Sequence, residues 1–122
     1  MKHISVKQVG PVVVLKPRGN LMGGNECDEL RMAADEAGKQ GTLSLVIDLQ
    51  GVEYINSSGI GELVGIYTSY KKRGGCAVLA NLHKKVKDLL VLLHLVRVFD
   101  IYESEGEAIA SFPAARPEPQ AS

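Results

Sequence analysis

The amino-acid sequence predicts a small α/β sandwich: a mixed sheet of four to five strands in the order ββαβαβαβα, with one antiparallel edge strand and the helices chiefly on one face. Three observations carry this reading. Short apolar runs rich in β-branched residues alternate with segments whose apolar residues recur every three or four positions. Glycines, prolines and cationic stops separate these segments. Single helices between successive strands require parallel pairing through right-handed crossovers, which keeps the helices on one side when strands are added in sequence order. A length of 122 residues suits one domain, expected over residues 1–112 and able to hide about two-thirds of its surface on folding.

Each element has its own signal. Ile4 to Val9 alternates apolar and polar residues, Gly10-Pro11 interrupts, and Val12 to Leu15 follows, so the chain opens with a hairpin whose second strand is the more buried. Asn25 resembles a helix N-cap with Asp28 at its third position. In the helix that follows, Cys27, Leu30, Ala33, Ala34 and Ala37 share one face, and Gly38 or Gly41 ends it. Leu43 to Leu49 reads as a central strand covered on both faces. Ile60, Leu63, Val64 and Tyr67 then mark a helix that runs to Lys71-Lys72-Arg73-Gly74-Gly75, where cations suit the negative helix end. Cys76 to Ala80 is the next strand, Leu82, Val86, Leu89, Leu90 and Leu93 the stripe of the next helix, Val98 to Tyr102 the last strand, and Ser104 to Phe112 a short closing helix. Pro113 to Ser122 holds three of the five prolines and no large apolar side chain, which predicts a mobile tail.

Composition removes several classes of function. Fourteen basic and fourteen acidic residues leave a formal charge of zero, so no global field favours direct nucleic-acid binding or an anionic lipid surface. The apolar runs are too short for a bilayer span of about 20 residues or a signal sequence with its roughly 7 to 15, so a cytoplasmic protein without membrane insertion is expected. Cys27 and Cys76 belong to no CxxC cluster, and His3, His83 and His94 have no metal-binding spacing, so no metal and no cofactor are expected.

The chemistry lies between Val46 and Tyr67, where a strand leads through a loop to two serines, a glycine pair and a helix. A loop that leaves a parallel strand and enters a helix N-terminus gathers exposed amide N–H groups at the positive end of the macrodipole. Ser57 and Ser58 stand there, with Gly59 and Gly61 leaving room for another molecule. A hydroxyl in this place can accept a phosphoryl group whose roughly −2 charge the helix end favours. One serine can equally be only the helix N-cap, and the glycines only a means of close packing.

Asp48-Leu49, Val52, Ile55, Asn56-Ser57-Ser58-Gly59-Ile60-Gly61 and Leu63 resemble the signature of the STAS family, the anti-sigma-factor antagonists of bacteria. The likeness extends over about residues 4 to 112 through Gly19-Asn20-Leu21, Gly74-Gly75 and the helix from Asn81 to Leu93. It implies a STAS-like domain acting as a phosphorylation-controlled binding module. By that likeness the unphosphorylated form is expected to bind an anti-sigma factor that is also a serine kinase, thereby freeing a sigma factor for transcription. The resemblance further implies that the kinase phosphorylates the first serine of the motif, here Ser57, and that a serine phosphatase resets the switch. Three positions depart from the family pattern: Asn56 replaces the acid before the acceptor serine, and Asn20 and Met22 replace acids in the turn after the second strand. Asn56 gives weight to an alternative also found among similar domains, a phosphorylation-independent scaffold subunit of a transporter or stress-signalling assembly.

Other residues are assigned in two ways. Glu62 and Ile66 lie off the stripe of the helix after Ser57 and form either a partner-facing strip or a solvated face. His83, Lys84, Lys85 and Lys87 should share the sheet edge of Ser57, as contacts for an acidic partner or as a solvated helix face. Val91 and Leu92 lie partly outside their stripe and mark either another contact or packing by the tail. A serine hydrolase built on Ser57 with His83 or His94 as base and Asp48 or Asp100 as orienter has no support from spacing, nor has a dinucleotide site at Gly59-Ile60-Gly61. The domain is expected to be non-enzymatic, and a monomer when free because its apolar stripes face one core.

Overall fold

The computed structural model describes residues 3–112; the predicted tail at 113–122 lies outside the described residues. Five strands, β1 (Ile4–Val9), β2 (Val12–Pro17), β3 (Ser44–Asp48), β4 (Cys76–Ala80) and β5 (Ile101–Tyr102), form one sheet in sequence order. β1 pairs antiparallel with β2 through a two-residue turn at Gly10, whose φ of 58° suits glycine. All other pairs are parallel.

The side-chain period of two divides the strands cleanly between the sheet faces. Val13, Leu15, Leu45, Ile47, Ala77 and Leu79 face the larger core, covered by α1 (Asn25–Lys39), α2 (Ser57–Lys72) and α3 (Lys84–Leu92). Val12, Val14, Val46, Val78 and Ala80 face the other side, where α4 (Glu105–Ala110) and Phe112 cover them. The five residues predicted for the buried face of α1 are all buried there. The three alanines among them let α1 sit close to the sheet and to α2, from which Tyr70 donates its hydroxyl to the Ala34 carbonyl at 2.7 Å.

Several expectations need correction. Asn25 is the first helical residue, not the cap of α1; the cap is Gly24, at φ 75°, with no side-chain hydrogen bond. The buried face of α2 consists of Gly59, Leu63, Ile66 and Tyr70, while Ile60, Val64 and Tyr67 are only partly buried. α2 packs against both the sheet and α1, which widens its covered face beyond one stripe. The last strand is shorter than predicted, because Leu95–Arg97 forms a 3₁₀ turn and only Ile101 and Tyr102 reach β4. Leu93 is 48% exposed, next to Val91 and Leu92, so the end of α3 does not continue the predicted stripe. Of the two cysteines, Cys27 is buried and Cys76 partly so, and burial pushes both thiols up from their ordinary pKa. No helix among the described residues is long and apolar enough to cross a membrane.

Candidate functional site

The loop that leaves β3 is laced to the loop that leaves β2. Gly19 N–H donates to the Gly51 carbonyl at 3.1 Å, Leu21 N–H to Tyr54 at 3.1 Å, and Asn56 N–H to Leu21 at 3.2 Å. Isolated parallel bridges join Arg18 to Gly51 and Leu21 to Ile55. Asn20, singled out from the sequence, holds this pair from within: its Oδ1 accepts from the backbone N–H groups of Glu53 and Tyr54, each at 3.0 Å. Leu21, Val52 and Ile55 are buried beneath the loops. The two loops thus form one platform, and the exposed Met22 and the start of α2 both rise from it.

The cap of α2 is Asn56, not a serine. Its Oδ1 accepts from Gly59 N–H at 3.1 Å, as an N-cap does, and its Nδ2 donates to the Met22 carbonyl at 3.0 Å. A carboxylate at this position could make the first bond but not the second. Among the described residues neither Ser57 nor Ser58 has its hydroxyl held by a hydrogen bond, and both residues are exposed. Their backbone N–H groups belong to the first helical turn, which has no intrahelical acceptors. Exposed serine hydroxyls beside unpaired amides are an arrangement fit to carry an anion. Among the described residues no base lies in hydrogen-bonding reach of either hydroxyl.

The two glycines of the motif differ in kind. A Cβ on Gly59 would lie 2.2 Å from the Leu21 carbonyl oxygen and 2.6 Å from Ile55 Cγ1, so the loop pair can approach the helix only over glycine. Gly61 has nothing within 4 Å of such a position and is exposed. Ile60 is half-buried against the core. Glu62 accepts from Arg31 at 3.0 Å, and Arg31 also reaches Asp28 at 3.0 Å, so this carboxylate ties α2 to α1. Ile66 is 4% exposed and belongs to the core; its assignment to a partner-facing strip is wrong, because α1 covers that side of α2.

The basic cluster does share the sheet edge with Ser57, but its members are dispersed among separate contacts. His83 Nε2 donates to the Gln50 carbonyl, Lys84 pairs with Asp88 at 2.8 Å, and Lys85 reaches the Tyr54 hydroxyl at 2.9 Å with its ammonium 4.6 Å from the ring centre. Asp48, which closes β3, is 1% exposed and accepts from Gln50 N–H at 2.9 Å and Asn81 Nδ2 at 3.1 Å. Burial raises its pKa, partly offset by these bonds. The Lys7 ammonium holds the nearby Glu105 carboxyl below its ordinary pKa. The Asn56–Met22 bond, the Arg31–Glu62 tie and the contacts of Asn81 are long-range and follow no local period of the sequence.

A model of the STAS domain matches residues 3–108. A Thermotoga maritima protein provisionally described as an anti-sigma factor antagonist is 32% identical over 103 residues, covering 84% of this chain and 91% of that protein. The anti-sigma F factor antagonist of Paenibacillus polymyxa is 27% identical over 99 residues, covering 80% of this chain and 84% of its own. A Thermotoga maritima crystal structure, also provisionally described as an anti-sigma factor antagonist, shares the fold with a TM-score of 0.81 at 28% identity over 88% of this chain and 92% of that one.

Proposed function

The chain belongs to the STAS domain family, and from that premise we propose that it is an anti-sigma-factor antagonist, a regulatory binding protein switched by phosphorylation of Ser57. The observation that carries the reading is the transfer of the cap to Asn56, which leaves the exposed Ser57 hydroxyl at the head of α2 with no structural duty. The names of its relatives support the binding role.

The physical account runs from the charge. A serine kinase transfers the terminal phosphoryl group of ATP to Ser57 Oγ; the new O–P bond forms as ADP leaves and the hydroxyl proton is lost. The product carries a charge of roughly −2. In the free protein this charge sits at the positive end of α2, an interaction worth about 0.3–1 kcal/mol at an exposed site. Asn56 is neutral, so no like charge adjoins it. Against a packed partner surface the same phosphate must be desolvated, which costs several kcal/mol per ion. Phosphorylation therefore leaves the fold intact and disfavours the complex, so the unmodified form binds the anti-sigma factor and the modified form releases it until a phosphatase acts.

The test is affinity capture from the native cells with wild type, Ser57→Ala and Ser57→Glu. Wild type and Ser57→Ala should retain a protein with an ATP-binding serine kinase domain, and Ser57→Glu should lose it by about tenfold or more, equivalent to 1.4 kcal/mol. Equal retention by all three contradicts the switch and supports a constitutive scaffold.

A further inference from the structure

We propose a second binding site, for a small zwitterion with an apolar body such as an amino acid or dipeptide, in the crevice between the C-terminal ends of β4 and β5. It is independent of the reading of Ser57. Two unrelated observations meet there. The first is topological: β4 leads to α3 on one sheet face, whereas β5 leads to α4 on the other. Adjacent parallel strands whose helices diverge leave a crevice outside their carboxyl ends, the place where open α/β sheets bind ligands. The second is a cavity of about 620 Å³ at that point, within the size range of small-molecule sites.

The crevice is held open by ordered backbone. Asn81, the residue after β4, adopts φ 56°, uncommon for a residue other than glycine. Its N–H donates to the Tyr102 carbonyl at 3.2 Å and its side chain to Asp48 at 3.1 Å, so both strand ends and the turn between them are fixed. His83 is fixed too, its Nε2 committed to Gln50.

The lining decides the ligand's chemistry. Leu82 and Val96 supply apolar surface above the buried Phe99 ring. Lys87 lies on the α3 wall, and Asp100 and Glu103 flank β5 on the other; none of the three forms an ion pair within the described residues. A simple anion would meet two carboxylates and a simple cation would meet the ammonium, whereas a molecule carrying both charges complements both walls. Its carboxylate goes to Lys87, its ammonium to the β5 side, and its apolar body to the floor between them.

The experiment is an amide-resolved NMR titration of the full chain with L-phenylalanine and the dipeptide Leu-Phe, set beside 3-phenylpropionate and phenethylamine, which carry one charge each. L-Phenylalanine or the dipeptide should shift the Asn81, His83, Lys87 and Glu103 amides saturably. Lys87→Met, which retains the apolar stem, and Glu103→Gln should each weaken binding by about tenfold, the loss of one charge-assisted contact, with the remaining spectrum unchanged. Saturation by 3-phenylpropionate or phenethylamine as tight as by the zwitterions overturns the ligand class. Absence of saturable shifts with every probe overturns the site, as does binding that maps elsewhere.

Discussion

Replacing Gly59 and Gly61 in turn by alanine adds the same methyl group two residues apart in one helix, and the two changes should differ in sign. At Gly59 the new Cβ would lie 2.2 Å from the Leu21 carbonyl oxygen and 2.8 Å from Leu21 Cβ. Ordinary contact requires the Leu21 backbone to retreat by roughly 1 Å, and overpacking of this kind costs about 1–3 kcal/mol. The displaced carbonyl is the one that accepts from Asn56 N–H, so a loop bond weakens as well, for about 1 kcal/mol more. Against this stands the gain of about 0.5–1 kcal/mol from alanine in a helix. The net expectation for Gly59→Ala is a loss near 2–3 kcal/mol. For Gly61→Ala only the helix gain remains, since its Cβ meets nothing within 4 Å. Urea denaturation followed by circular dichroism measures both, and the predicted gap of about 3 kcal/mol corresponds to roughly 10–15 °C in melting temperature. A Gly59→Ala variant within about 0.5 kcal/mol of wild type, the usual scatter of surface substitutions, would refute the close approach of helix and loop.

Two further outcomes follow from the same geometry. Asn56→Ala removes the cap bond to Gly59 and the tie to Met22 and should cost about 1–2 kcal/mol, whereas Asn56→Asp retains the cap and should lose less; hydrogen exchange should nevertheless quicken at residues 21–23 in both, and unchanged exchange there would show that the Met22 bond does not hold the loop. Asp48, whose folded pKa is raised by burial, favours folding most when protonated and loses that contribution as pH climbs through its folded pKa. Asp48→Asn, which can still accept from Gln50 N–H, should therefore gain on wild type in denaturant titrations as pH rises above about 4, the ordinary carboxylate value. A difference that shrinks over that range would contradict the assignment.

Much of the fold was legible because its signals are local. The face of α1 follows from five residues at helical spacing, and the sheet order follows from single helices between strands. A serine cap for α2 is one of two readings the sequence offers, yet Asn56, one residue earlier, is as good a cap-former; propensity cannot choose between neighbours, and the Met22 carbonyl that completes the choice lies 34 residues away. Ile66 was misplaced for a related reason. A helix packed on two sides buries more than one stripe, and the second neighbour, α1, is invisible in the helix's own period. The end of α3 and the 3₁₀ turn were blurred because Leu89 to Phe99 is apolar on nearly every side, so periodicity carries little information there. At the site itself, the serines and glycines were found by type and spacing. The lacing of residues 18–22 to 51–56, which makes them one surface, is a long-range pairing with no sequence period.

Whether Ser57 carries the switch can be read by intact and peptide mass spectrometry of the protein recovered from its native cells, with Ser57→Ala and Ser58→Ala in parallel. A single phosphate is expected on the wild type, persisting in Ser58→Ala and vanishing in Ser57→Ala. Phosphate lost only in Ser58→Ala, or no phosphate under growth and stress while the protein still holds its partner, would contradict the switch at Ser57.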